Sequence, residues 1–383
     1  MYGYADYDLA LACFLLGRML RSVGNAGAAL PPLAEARRRF AAVEARRPGD
    51  GAARMAAVCI GERAGCLRDL GRLDEAAQAY EQAIALAEER HDERDVAVGK
   101  GNLGTVRLEQ RRFSEALAAH REARERFTAL GEAVSVASAW HQTGRVHEDA
   151  DNGDAAEDAY RKSLAIWVQC DDIAGQARTL NQLGLLYADI LGRPEDAVTH
   201  YQQAAKRYVA LHDAASEGRT RNNLAATLRR LGRRQEARRE IERALECKHG
   251  LGHAAEPWTS WDILADIEND DGRASEARQA SVQAREAYLA FRRDGGESHN
   301  PGPRLAAEIA RLLLAGDTGR AGARLAEVAG WPDLPAWVPP FVSALQAVVA
   351  GERSASLADA PGLDYDDAAE ILLLLEQLAA AGR

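Results

Sequence analysis

The densest run of metal-ligating side chains in the chain is HEDADNGDAAED, residues 147–158. Carboxylates packed this closely could hold calcium, a hard cation that collects about six to eight oxygens. A calcium loop of the EF-hand type needs fixed spacing and a closing glutamate, and this run has neither, so it reads as a solvated turn between helices. A phosphate loop needs GxxxxGK[ST]. The nearest text, VGKGNLGT (98–105), puts Lys100 in the wrong place. His141 and His147 stand six residues apart, on different sides of a helix, and make no metal pair. GESHNPG (296–302) carries polar groups with no partner base nearby in sequence and reads as a loop. No HExxH occurs. No catalytic residue, metal or cofactor is predicted, and the chain is not expected to be an enzyme. The remaining chemistry is recognition, and recognition depends on what positions the polar side chains.

The 383 residues are 47% hydrophobic and 28% charged, a globular composition well clear of the disordered class. Net charge is −10, which argues against nucleic acid as a direct partner. Of the 48 basic residues four are lysines (Lys100, Lys162, Lys206, Lys248), so arginine supplies nearly all the positive charge. The five cysteines (Cys13, Cys59, Cys66, Cys170, Cys247) are scattered, without CxxC, and read as small buried apolar residues in a reducing compartment. The N-terminal MYGYADYDLALACFLLG lacks a basic region, and Asp6 and Asp8 break its apolar run; no signal peptide fits. Apolar runs such as ILLLL (371–375) are too short to span a bilayer. A cytoplasmic location and no membrane partner are the expectation.

One pattern runs along most of the chain. A small residue is followed by alanine twelve positions on and by a small residue seven further: Gly104, Ala116, Ala123. Forty residues earlier stand Ala64, Ala76 and Ala83; forty later stand Gly144, Ala156 and Ser163. Then come Gly184, Ala197 and Ala204, with one extra residue assigned to the turn LGRPED. Ala225, Ala237, Ala244 and Ala265, Ala277, Ala284 follow, and Gly17, Ala29 and Ala36 precede the series across a longer linker, ARRPGDGA. Small residues on two faces let helices cross with their backbones close together. Turn text such as LGRLDE, QRRFSE, DNGDAA and DGRASE separates the columns, with glycine ending the first helix in most copies. Asp74, Ser114, Asp154 and Ser275 are placed to cap the second helix, and Pro194 suits a first helical turn. Each copy is a helical hairpin that cannot bury its apolar stripe alone, so copies must stack.

These columns resemble the tetratricopeptide repeat, and Tyr80, Tyr160 and Tyr201 stand four residues after the second column, where that family prefers an aromatic. The family's usual period is about 34 residues. The longer period here is similar to arrays of kinesin light chains, and to sensor ends of bacterial signal-transducing ATPases and peptide-sensing regulators. The resemblance covers roughly residues 5–290. It implies an all-α, right-handed α-solenoid of seven hairpins, centred near Gly17, Ala64, Gly104, Gly144, Gly184, Ala225 and Ala265. Residues 1–291 form the array. RRDGGESHNPGP (292–303) is a linker, and residues 304–383 make a degenerate repeat plus a helical cap. Six of the twelve prolines fall between Pro301 and Pro340. Ala310, Gly322 and Ala329 keep the column spacing there, and helices are expected near 341–350 and 365–381.

In such arrays the first helix of each hairpin lines a concave groove. The resemblance then implies groove positions at Asn102; Ser138, His141, Gln142, Arg145, Glu148 and Asp149; Arg178, Asn181, Gln182 and Asp189; Arg219, Asn222, Asn223, Arg229 and Arg230; and Thr259, Asp262, Asp266, Asn269 and Asp270. Asn102, Gln142, Gln182 and Asn223 occupy one equivalent position and make a column of amides. These could pair with a peptide backbone, or equally with neighbouring helices or water. Arg178, Arg219, Arg229 and Arg230 suit carboxylates and phosphates, unless Asp189, Glu148 and Asp266 claim them first. The implied function is a non-catalytic platform for a protein or peptide segment, acidic or C-terminal in character. It would serve as the sensor part of a bacterial signalling protein; the alternatives are a stand-alone adaptor or co-chaperone, or a small-molecule sensor. Met1 stands almost inside the first copy, which suits a piece of a larger protein and a free-standing one alike. Oligomeric state is left open.

Overall fold

The computed structural model describes residues 3–49, 51–298 and 300–382; Asp50 of the ARRPGDGA linker and His299 of the GESHNPG run lie outside them. Eighteen α-helices and no strand occur among the described residues. Seven hairpins follow in order: α1 (Gly3–Ser22) with α2 (Ala26–Arg46), α3 (Ala52–Asp69) with α4 (Leu73–Glu89), α5 (Glu93–Glu109) with α6 (Phe113–Ala129), and α7 (Ala133–Asp149) with α8 (Gly153–Gln169). Then come α9 (Ile173–Leu185) with α10 (Pro194–Ala210), α11 (Ala214–Arg230) with α12 (Arg234–Lys248), and α13 (Pro257–Asp270) with α14 (Ala274–Arg293). The chain continues through α15 (Pro301–Leu314), α16 (Thr318–Ala329), α17 (Val338–Val349) and α18 (Tyr365–Ala380). This is the all-α, hairpin-repeat architecture of an α-solenoid. It divides into two compact units, residues 1–207 and 208–383, a division the repeat pattern does not announce.

The columns of small residues are the helix crossings. Ala29, Ala64, Ala76, Ala116, Ala156, Ala197, Ala225 and Ala237 are all fully buried. At the glycine crossings a large side chain lies flat on the bare backbone of the partner helix. A Cβ at Gly104 would meet the His120 ring at 2.8 Å, one at Gly144 the Tyr160 ring at 2.6 Å, and one at Gly184 the Tyr201 ring at 2.5 Å. Leu33 fills the same place over Gly17. Glycine is needed at these positions for proximity, not for backbone freedom.

Three local expectations need correction. Asp74, Ser114 and Ser275 are not helix caps: the N-cap positions are Arg72, Arg112 and Arg273, none with a capping side chain. Asn152, not Asp154, caps α8, accepting from the Ala155 N–H. The reason is the turn itself. In the second hairpin the Arg72 N–H bonds back to the Leu67 carbonyl across Gly71, which has φ +73°, so the turn satisfies its own backbone. Asp74 and Glu75 then lie in the first turn of α4, where acids answer the helix dipole. Second, the extra residue of the fifth copy is not in the turn. It is absorbed as a π-helical turn, Leu186–Ile190, at the end of the first helix. Third, the column spacing fails to set the register after residue 304. Ala321, Leu325 and Val328 face the core there, while Ala329 is exposed and no atom lies near a Cβ built on Gly322. Pro194 does open α10.

In the second unit α18 packs along α14 and α15. Glu370 forms an ion pair with Arg292 at 2.8 Å and accepts from the Tyr288 hydroxyl at 3.3 Å, and Trp258 and Ala369 join one apolar cluster. The ILLLL face is thereby buried within this unit. Cys59, Cys66 and Cys247 are buried, whereas Cys13 and Cys170 are only half-buried. The Cys247 thiol donates to the Glu217 carboxylate, and burial pushes the Cys59 thiol up to about 12. No helix among the described residues is long and apolar enough to cross a membrane.

Candidate functional site

In the first unit α5, α7 and α9 carry the residues expected to face the groove, α6 packs against α5 and α7, and α3 shares a cavity with α5. Small residues keep the first helices from filling the space between them. A cavity of about 200 Å³ is lined by Val58, Gly61, Glu62, Val98 and Asn102. A second, of about 280 Å³, is lined by Val98, Gly101, Asn102, Phe127, Ser138 and Gln142. Asn102 and Val98 border both, so the two form consecutive stretches of one trough. Val98 and Val134 expose large apolar surfaces along its wall. A Cβ on Gly61 would meet nothing within 4 Å, and one on Gly101 would meet only Ala123 at 3.9 Å. These glycines keep space open, whereas those at the crossings are closed by rings.

The column of amides divides by partner. Asn102 is half-buried, and its side chain makes no hydrogen bond to any described residue. Gln142 accepts from Arg145 at 3.3 Å, which leaves its NH2 group unused. Gln182 donates to both Glu148 oxygens, at 3.1 and 3.0 Å, and serves to join consecutive copies. Asn181 is engaged in contacts of its own. His141 bonds Thr179 across copies at 3.1 Å and leans on the Tyr160 ring. Burial first, then the positive charges of Arg178 and Arg145, pushes its imidazole down to about 4. Arg178 is exposed and has no acidic partner among the described residues.

In the second unit some of the groove positions are taken by internal contacts and some are not. Arg229 pairs with Asp266 and with Asp270 at 2.6 Å. Asn222 is buried, donating to Thr259 at 3.1 Å and accepting from Ser260 at 2.8 Å, so it is a clamp between copies. Arg219 donates to Ser216 on its own helix, and Arg230 to Thr227. Asn223 is half-buried with no side-chain hydrogen bond. Sequence reasoning foresaw Asp266 as a rival for the groove arginines and placed Asn102, Ser138 and Gln142 on the groove. It missed the two cavities, because glycines such as Gly61 and Gly101, which carry no polar group, hold them open.

The tetratricopeptide-repeat family model matches residues 55–129, 135–210 and 175–248. With the crossings described above, this makes the chain a tetratricopeptide-repeat protein. Among solved structures, BtubC (BKLC) from P. vanneervenii is similar over 58% of this chain and 90% of its own, at 19% identity and a TM-score of 0.52. A Rap protein complexed with competence and sporulation factor matches 72% of this chain and 78% of its own, at 16% identity and a TM-score of 0.49. The apo quorum sensor NprR from B. thuringiensis matches 73% and 87%, at 13% identity and 0.47. The likeness to BtubC is one of fold. No curated protein matches the chain.

Proposed function

We propose that the chain is a non-catalytic platform that holds an extended peptide segment against α3, α5 and α7. The observation that carries this reading is Asn102, an amide left without a partner where two cavities meet. An amide offers a donor and an acceptor together, which matches the alternating N–H and C=O of an extended strand. The unused NH2 of Gln142 lies one repeat further along the same wall. Aliphatic side chains of the segment bury Val98 and Val134 in the trough. Arg145 and Arg178 then receive an acidic side chain or the carboxylate at the segment's end. The same groove serves a peptide-sensing part of a larger signalling protein and a free-standing adaptor alike.

The test starts from peptides selected on the full chain from a random displayed library, with affinities measured by fluorescence anisotropy. Gly101→Leu fills the trough without touching the backbone, and should lower affinity at least about tenfold. Asn102→Ala should cost about fivefold to tenfold, one hydrogen-bonded amide. Selected peptides that bind Gly101→Leu as well as the wild type would place the binding surface elsewhere.

A further inference from the structure

The second unit holds a cluster that the peptide platform does not use. DYDD, residues 364–367, opens α18, and one carboxylate oxygen each from Asp364, Asp366 and Asp367 lie within 4.8 Å of one another. Acids in a first helical turn are ordinary, since they meet the positive end of the dipole. Three features go beyond that. Asp364 is the N-cap residue, yet its side chain caps nothing. Asp366 accepts from the Asn300 amide at 3.1 Å, and no arginine or lysine among the described residues pairs with any of the three. Most telling is Asp367. It is 3% exposed, its carboxylate makes no hydrogen bond to a described residue, and it is aimed at the other two acids. It reaches that position because Gly302 leaves room: a Cβ there would sit 2.1 Å from Asp367 Oδ1.

A buried carboxylate without a partner has to be neutralised, by a proton or by a cation. Further negative charge surrounds this one. Asp262 and Asp266 project from α13; Asp262 is held at about 7 by burial and by Asp266, Asp364 and Asp366. Asp367 is held at about 8 by burial and by Asp366, Asp364 and Glu370. The compensating cations nearby are committed elsewhere, Arg229 to Asp266 and Asp270 and Arg292 to Glu370. Oxygens sharing one calcium ion at about 2.4 Å stand no more than about 4.8 Å apart, a limit these three meet, and calcium accepts irregular oxygen sets where magnesium demands near-ideal octahedral geometry. The three acids also form a path inward, from exposed Asp364 through half-buried Asp366 to buried Asp367.

We propose that Asp364, Asp366 and Asp367 bind a calcium ion, with solvent completing its shell, and that the ion fastens the start of α18. The geometry favours a compact hard cation over the ammonium or guanidinium of a partner, because the innermost ligand is a nearly inaccessible oxygen.

The experiment uses the full chain treated with EDTA, then titrated with calcium, magnesium or sodium at matched ionic strength while its melting temperature is followed. Terbium luminescence, sensitised by Tyr365 between the two outer ligands, reports binding directly. Calcium should raise the melting temperature by roughly 3–6 °C at saturation, well beyond magnesium. Asp364→Asn/Asp366→Asn, both at the accessible end, should fold, melt no lower than the EDTA-treated wild type, and lose the calcium rise and the terbium signal. Three results would overturn the proposal. One is no response up to about 10 mM calcium, above the weakest protein sites. Another is an equal response to magnesium, which would mark general screening. The third is an undiminished calcium response in the double variant.

Discussion

The two units build their groove-facing surfaces from the same repeat and differ in how much of each is claimed by internal contacts, although Arg219 and Asn223 of the second unit, like Arg178 and Asn102 of the first, have no acidic or amide-bonding partner among the described residues. In the first, Asn102 has no partner, Arg178 has no acid beside it, and Gly61 and Gly101 hold space open. In the second, Arg229 is claimed by Asp266 and Asp270, and Asn222 is spent joining copies. The difference teaches that groove position in a repeat does not make a binding residue. A polar side chain is available to a ligand only where the neighbouring copy offers it nothing better, and small residues on that neighbour are what withhold the offer.

The comparison breaks most visibly at the glycines. Gly144→Leu drives a side chain into the ring of Tyr160, which is fully buried and tied through its hydroxyl to Glu148. It should destabilise the chain by about 3 kcal/mol, the upper end of overpacking costs, and Gly104→Leu by about 1–3 kcal/mol. Gly101→Leu enters open space and should stay within about 0.5 kcal/mol of the wild type. Denaturant melts of the three variants measure this directly. Equal losses at Gly101 and Gly144 would mean that groove and crossing glycines do not differ as described.

The units should also respond to acid with opposite sign. In the first, His120 is 1% exposed, neither ring nitrogen has a partner, and burial, then Arg145, pushes it down to about 4. Unfolded, it titrates near its ordinary 6.5, so the unfolded chain binds the extra proton between those values and stability falls as pH drops from 6.5 towards 4. At pH 5 the loss is about 2 kcal/mol. In the second unit Asp367 is raised from 3.8 to about 8, so the native state holds the extra proton. Its contribution is complete below 3.8 and is lost as pH rises through about 8. His120→Phe should therefore gain most at pH 5 and little at pH 8. Asp367→Asn, measured in EDTA, should gain most at pH 8 and little at pH 5. Melting temperatures at both pH values test the crossing, and parallel gains would remove it.

Much of the fold was legible because helix crossings demand small residues, and a demand repeated every forty positions shows as a period. The ring on each glycine was half legible: tyrosine at 160 and 201 announces it, while His120 in the same place looks like a candidate for chemistry. The caps were misread because Arg72, Arg112 and Arg273 hold their positions through turn backbone, which leaves no side-chain signature. The acid cluster was illegible for a different reason. Asp262 and Asp364 lie about a hundred positions apart, and they act on one another only after α18 folds back along α14. For the candidate groove residues partners decide use, and those that join copies, such as Glu148 for Gln182, Thr259 for Asn222 and Asp266 for Arg229, lie 34 to 37 residues away in sequence.

The smallest expected effect sharpens the comparison furthest. Arg178 is exposed and unpaired, so Arg178→Glu should leave stability nearly unchanged and weaken an acidic selected peptide about threefold to tenfold at low salt. That loss should shrink as ionic strength rises, because an exposed charge acts across screened water. Arg229→Glu is the counterpart. It sets a new acid against Asp266 and Asp270, so it should lower the melting temperature while leaving peptide affinity close to wild type. Anisotropy and melts on the two variants form a two-by-two comparison. If Arg229→Glu reduced affinity as much as Arg178→Glu, its ion pairs would have to open for the ligand. An arginine already paired in the free chain would then be a reserve of the binding surface, and partnership in the structure would no longer separate scaffold from site.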